Sequence, residues 1–409
     1  MNGRTVAFCG TRGVPANYGG FETAVDEISQ RFVKNGYDCA VFCRESSSGK
    51  RLKYHEGRRL VYVKGSSRRA LDTFVSAFQT GWHLLRNRKD YGHVFWFNNA
   101  NLPGILLTLL ARIPTSVNTD GMEWRRAKWS WPFKAYYLLA SFLISLLCSG
   151  VISDSKAMQS FYKKAFGRDT EFVPYGVPRT PEVSPHEEPE ILDRYGVTSG
   201  RYFLQITRFE PDNLPLDVAR AFKAARLAED GFKLLLIGYK HGTSYAEEIK
   251  SLSGENGIVV AGAVYDPEVL SVLRENCFSY VHGNSVGGTN PALLEAMATC
   301  PRVLAIEGPF SREVLGDEGR FFEPNGMVGA LREALSYPDN SAGMRERVRS
   351  LYQWNAVARS YINLTEGLPA NYSASRVSPE LVISRINPGS SRELPVDLEP
   401  NAADVERGA

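Results

Sequence analysis

Gly10–Thr23, GTRGVPANYGGFET, lies between an apolar run of strand length, TVAFC (Thr5–Cys9), and a stretch of helical periodicity, AVDEISQRFVKNG (Ala24–Gly36). Four glycines within eleven residues, Gly10, Gly13, Gly19 and Gly20, imply a backbone that something approaches closely. Their spacing is not the G-x-G-x-x-G of dinucleotide-binding folds, and no Lys-Ser/Thr pair follows as in a P-loop. What remains is a long loop that delivers Gly19 and Gly20 to the start of a helix. Exposed N–H groups and the helix dipole suit an anion there, phosphate above all. A tight strand-to-helix turn with no ligand is the other reading of the same residues.

Working outward, short apolar runs alternate with helical patterns along the chain. Strand candidates are TVAFC, CAVFC, RLVYV, HVFWFN, TSVNTD and GVISDS in the first half. YFLQIT, KLLLIG, IVVAGA, FSYVHG, PRVLAI and RFFEP follow in the second. Buried strands alternating with helices give parallel sheets covered on both faces, and two such series imply two doubly wound, Rossmann-like α/β domains. The proline-rich, charged stretch EFVPYGVPRTPEVSPHEEPE breaks the periodicity. The expected division is therefore a first domain over residues 1–175 and a second over 176–366. A tail over 367–409, rich in Pro, Ser and charge, is expected to be disordered.

The chain has 409 residues and a net charge of +3. Residues 1–175 carry 25 Lys+Arg against 13 Asp+Glu, or +12; the remainder carries 23 against 32, or −9. A basic half points to an anionic partner, whether a phosphorylated ligand, a membrane surface or nucleic acid, although an ordinary bipolar surface gives the same sum. The six cysteines form no C-x-x-C pair and no zinc-type spacing with histidine. They read as small core residues in a reducing compartment. With no signal-peptide pattern at the N-terminus, a cytoplasmic location is expected.

A second constellation lies in YVHGNSVGGTNPALLEAMATCPRVLA (Tyr280–Ala305), which reads as strand, glycine turn, helix and strand. Gly287, Gly288, Thr289 and Asn290 precede Pro291, a residue at home in a first helical turn. Glu295 follows within the first turn or two. Its carboxylate either complements the helix dipole or accepts the paired hydroxyls of a ribose. Arg208, in TRFEPDN after the strand YFLQIT, has the forked guanidinium that suits a diphosphate; pairing with Glu210 or Asp212 is the plainer alternative. Two glycine turns at the ends of two sheets, with an Arg and a Glu between them, describe an interdomain cleft for a nucleotide.

In their order, these motifs resemble the GT-B glycosyltransferases of family 4, a retaining, metal-independent group that uses sugar nucleotides. GTRGVPANYGGFET is similar to the N-terminal loop of a bacterial branch that includes rhamnosyltransferases of surface-polysaccharide synthesis. DGMEW (Asp120–Trp124), ISDS (Ile152–Ser155), VPYGV (Val173–Val177), RFEPDN, GGTNPALLEAMA and WNAVARSYINL (from Trp354) extend the resemblance over residues 4 to about 366. It implies a central cleft, a last helix crossing back onto the first domain, and a nucleoside-diphosphate sugar as donor. Gly19 and Gly20 would contact donor phosphates or acceptor from the first domain. Arg208 would hold the diphosphate, Glu295 the ribose, and the amides of Gly288–Asn290 the sugar and phosphates. The chain departs from the pattern twice: Gly287 stands where the first glutamate of E-x7-E is expected, and Asn213 where a lysine follows the arginine. Those departures keep a catalytically impaired partner subunit as the alternative function. A histidine of the family type is also missing after TSVN, leaving Asn118 or Asp120 nearby; Asp120 is taken either as a polar contact at the reacting centre or as a turn carboxylate. The chain carries no DxD carboxylate pair, in keeping with the metal independence that the resemblance implies. The expected cofactor is therefore none beyond the donor, and the expected acceptor is a glycan or lipid-linked saccharide.

One further stretch stands out, EWRRAKWSWPFKAYYLLASFLISLLCSG (Glu123–Gly150). Its apolar run, Ala135–Cys148, is too short for a comfortable membrane span and is expected to be a buried helix. The Trp, Arg and Lys residues before it suit an anionic lipid surface, so a peripheral membrane contact through residues 124–148 is expected. A nicotinamide enzyme is disfavoured by the glycine spacing in both turns. Nucleic-acid binding is not expected.

Overall fold

The computed structural model describes residues 4–374 apart from 17–18, 46–50, 67, 69–70, 120, 123, 125–129, 179–180, 182, 185 and 239–241. The first domain is built on β1 (Thr5–Cys9), β2 (Cys39–Arg44), β3 (Tyr54–His55), β4 (Arg58–Val63), β5 (Tyr91–Phe97), β6 (Thr115–Asn118), β7 (Gly150–Ser153) and β8 (Glu171–Phe172). They form one sheet in the order β3-β4-β2-β1-β5-β6-β7-β8, parallel except for the short edge strand β3. The second sheet contains β9 (Tyr202–Ile206), β10 (Lys233–Ile237), β11 (Ile258–Ala261), β12 (Ser279–His282), β13 (Val303–Ile306) and β14 (Arg320–Phe322), in the order β11-β10-β9-β12-β13-β14. All of its pairings are parallel. Every strand expected from the sequence is present. The two-residue strands β3 and β8 are additions too short to leave a pattern.

Helices α1 (Gly20–Lys34), α2 (Asp72–Arg86), α3 (Leu102–Leu110), α4 (Trp131–Leu147) and α5 (Lys156–Phe166) cover the first sheet. The second domain carries α6 (Glu188–Arg194), α7 (Pro215–Ala224), α8 (Ser244–Ser251), α9 (Pro267–Glu275), α10 (Pro291–Thr299), α11 (Pro309–Leu315), α12 (Met327–Glu333) and α13 (Ser341–Leu351). The last helix, α14 (Trp354–Thr365), returns to the first domain. Its Tyr361 ring lies 4.9 Å from Phe95 and its hydroxyl accepts from Asn118 at 2.6 Å; Arg31 of α1 donates to Asn355 at 2.7 Å. The parallel sheets are buried on both faces. Ala24, Ile28 and Phe32 of α1 pack on one side of the first sheet, and Ala77, Ile105, Ala140 and Ile144 of α2–α4 on the other.

Two expectations change here. Residues 375–409 of the supposed tail lie outside the described residues, but its beginning is packed. Ala370 is buried and donates to Glu171 at 3.1 Å, and the Tyr372 ring sits 5.9 Å from Phe172. The apolar run in α4 is helical but not simply buried. Ser141 and Ser145 face inward, their hydroxyls returned to the carbonyls of Tyr137 and Ser141 at 2.9 and 2.7 Å, while Leu138, Leu139, Phe142, Leu146 and Leu147 are exposed. Burial was expected of a run apolar apart from serines and too short to span a membrane; the helix instead places its serines against the sheet and several leucines outward.

Candidate functional site

The first glycine turn is largely a piece of scaffold. Gly13 has φ +111° and packs directly on Cys43 of β2, so a Cβ would fall on that side chain. The loop is then tied to its own helix. The Arg12 N–H donates to Glu22 Oε1 at 3.1 Å and the Ala16 N–H to Asp26 Oδ2 at 3.0 Å. Asp26 in turn holds Arg58, whose fully buried guanidinium also meets Glu56. These carboxylates, two residues before and two after Ala24, went unnoticed in the sequence; their signal was a pair of acids four apart at the head of a helix behind a long loop. At the end of the turn Gly19 is extended and α1 starts without a side-chain cap, leaving its first N–H groups to another acceptor.

Four residues of the second turn bring the two domains into contact. Gly288 lies against the Asp154 carboxylate at the end of β7, with no room for a Cβ. The buried Thr289 hydroxyl donates to the Asp154 carbonyl. Gly121 lies over Gly287, and Gly20 over Pro291, where a Cβ on Gly20 would stand 3.0 Å from the proline ring. Nearby, both Glu313 oxygens accept the Lys156 N–H at 2.9 Å, so a second-domain carboxylate closes the amino end of α5. Burial raises the Glu313 carboxyl above its ordinary pKa. The side chains of Thr289 and Asn290 have partners of their own, which leaves the backbone amides as the groups expected to face the donor. Thr289 bonds the first domain, and Asn290 caps α10 by accepting from the Ala292 N–H at 3.0 Å. His282, beneath the turn, is buried, and desolvation pushes it down to about 4, so it is neutral at pH 7.

Arg208 leaves the carboxyl end of β9 exposed and forms no ion pair among the described residues, which removes its pairing with Glu210 or Asp212. Asn213 stands where the resemblance places a lysine, among the residues expected around the donor. It is buried, and its amide donates to the Arg208 carbonyl at 3.0 Å, so it shapes the loop that presents the arginine. This loop is joined to the second glycine turn, because the Ser285 hydroxyl donates to the Asp212 carbonyl at 2.9 Å.

A cavity of about 530 Å³ opens between the domains, lined by Gly19 and Thr23 on one side and by Tyr265, Arg274 and Glu295 on the other. Glu295 sits on the second turn of α10, paired with the buried Arg274 of α9. The pairing takes it away from a simple dipole role. Arg274 Nε has no hydrogen-bond partner among the described residues. The structure thus brings Gly19 and Glu295 to one cavity and Gly20, Gly287 and Gly288 to the contact beside it; Arg208 is not among the lining residues of the cavity. Gly287 holds φ +155°, a conformation that a glutamate would adopt only under strain, which accounts for glycine at that position. Asp120 lies outside the described residues; its neighbour Thr119 is buried and donates to the Ile152 carbonyl at 3.0 Å.

Two parallel-sheet domains closing on a cleft, with the last helix returned to the first, make this a GT-B fold. Residues 3–178 match the family described as "Domain of unknown function (DUF1972)", so the first domain is of that type. No curated protein sequence matches the chain. Among solved structures, the sucrose-phosphate synthase of Thermosynechococcus elongatus superposes with a TM-score of 0.72 at 16% identity, covering 89% of this chain and 98% of that one. A glycosyltransferase from Rickettsia africae gives 0.68 at 14%, covering 92% and 100%. Anabaena HepE in complex with UDP and glucose gives 0.67 at 16%, covering 89% and 100%.

Proposed function

We propose that this chain is a glycosyltransferase that moves a sugar from a nucleoside-diphosphate donor to a glycan or lipid-linked acceptor. The observation that carries the proposal is the interdomain cavity bounded by the uncapped start of α1 at Gly19 and by Glu295 of α10. One wall offers backbone N–H groups to phosphate and the other a carboxylate to ribose hydroxyls. Arg208, exposed and without an ion pair among the described residues, is available to the diphosphate once donor is bound. In the reaction the bond between the anomeric carbon and the phosphate oxygen breaks, and the electron pair leaves with the nucleoside diphosphate. The acceptor hydroxyl supplies the new oxygen–carbon bond and gives up its proton. Charge on the departing phosphate is stabilised by the guanidinium and helix amides, so this reading needs no metal. Resemblance in the first glycine loop favours rhamnose as the sugar and surface polysaccharide as the product; the resemblance to family 4 as a whole implies a retaining course. Six free, buried cysteines suit a reducing compartment and support a cytoplasmic reaction.

Calorimetric titration with UDP, dTDP, GDP, ADP and NAD tests this reading. One nucleoside diphosphate should bind, and Arg208→Ala should weaken it by about 10- to 100-fold, the loss of a charge-assisted pair. Binding of NAD alone, or of none of the five, would sink it.

A further inference from the structure

Of the seventeen large apolar side chains that are exposed among the described residues, eleven fall between Leu71 and Leu147, on or beside α2, α3 and α4. The three helices share one layer. Gly81 of α2 meets the Gly104 backbone of α3, and Phe74 of α2 lies 5.0 Å from Tyr136 of α4. Their inward sides fill one core against the same sheet face, so their outward sides point away from the sheet together. Trp131 is 79% exposed, Leu110 67% and Leu146 65%. On α4 the usual order is inverted, with serines in and leucines out. That pattern is selected by an apolar surrounding medium, not by water.

We infer that this layer is a docking surface for an anionic lipid bilayer, lying on the membrane without crossing it. No described helix is long and apolar enough to span one. Charge identifies the occupant. Helices α3 and α4 contain no acidic residue, and the only one in α2, Asp72, is held by Arg44 at 2.9 Å. Arg86, Arg88, Lys89 and Arg112 stand exposed at the far ends of α2 and α3, and Lys134 is half-buried near the start of α4. Arg86 lies 5.0 Å over the Trp82 ring, which stacks in turn on Phe78, an aromatic ladder ending in a cation. Aromatic rings beside cations at the edge of an apolar face belong at the headgroup level of a bilayer, with the leucines below it. The inference does not depend on the transferase reading, because binding is measured without any sugar.

Vesicle flotation of the full chain tests it. Binding to vesicles of phosphatidylcholine with 30% phosphatidylglycerol, on the order of tenfold tighter than to phosphatidylcholine alone, is the expected result. L139E/L146E should lose at least tenfold while keeping the wild-type melting temperature and nucleotide affinity. If that variant is unstable, the wild type alone decides: brominated lipids should quench the exposed Trp82 and Trp131. Failure to bind either vesicle, or the absence of quenching, overturns the inference. A concentration-dependent dimer abolished by L139E/L146E, with no vesicle binding, would also overturn it and assign the face to a second copy of the chain.

Discussion

The two glycine turns look alike in the sequence and differ in what their glycines accomplish. In the first, Gly13 is required by its own domain, packed on Cys43 with φ +111°, and the loop amides of Arg12 and Ala16 are consumed by Glu22 and Asp26. The loop reaches the cleft only towards its end, at Ala16, Gly19 and Thr23. In the second, Gly288 is required by the other domain, since its missing Cβ is the space filled by Asp154. A high density of glycine therefore reports close approach, but the approaching group is as readily a cysteine or an aspartate of the same chain as a phosphate.

Matched substitutions break or sharpen this contrast. Gly288→Ala should leave the melting temperature close to that of the wild type, yet prop the domains apart. Small-angle scattering should show an enlarged radius of gyration, and sugar transfer should fall by about 100-fold, since closure assembles the site. Gly13→Ala should do the reverse, costing about 2–4 kcal/mol in urea denaturation through positive-φ strain and overpacking. Equal destabilisation by the two would erase the distinction. Glu295→Gln has a smaller expected effect. It should raise the dissociation constant of the nucleoside diphosphate about tenfold, the loss of one charge-assisted bond to ribose, while the matching deoxyribose nucleotide loses less. An equal loss for both would assign Glu295 to holding Arg274.

The smallest effect concerns His282 beneath the second turn and His93 in the first sheet, both lowered to about 4 by desolvation. Their folded values lie below the unfolded 6.5, so the unfolded chain takes up protons first and stability declines as pH falls. Between pH 7 and 6 the decline should be on the order of 1 kcal/mol for the two together, measured by denaturant unfolding. It should shrink in His282→Gln; an unchanged slope would exclude His282.

Much of the fold was legible because its determinants are local. A buried parallel strand is a short run such as KLLLI or TVAFC, and the breaks between runs carry Gly and Pro. The site was legible only in part. Gly19, Gly288, Glu295 and Arg208 sit where a local pattern of turn, helix start or strand end puts them. Asp154 and Glu313 were missed as cleft residues because their partners, Thr289 and Lys156, are more than a hundred residues away. The roles of the Asn213 and Asn290 side chains could not be read, because an amide has the same inventory of bonds for a loop carbonyl or a helix end as for a phosphate. The outward leucines of α4 were misjudged for a related reason. A serine every fourth residue can mark either face of a helix, depending on whether its hydroxyl returns to the backbone.

The Glu313 contact at the head of α5 has a kinetic meaning. A helix start that would attract a free anion already holds one, supplied by the opposite domain on a tether. For the domains to part, this internal counter-ion must withdraw from Lys156 while Thr289 releases Asp154. Under the transferase reading, every exchange of spent nucleotide for fresh donor passes through that release. The dwell time of product would then be set by residues that never touch the sugar, and the rate of turnover by how firmly the chain grips itself.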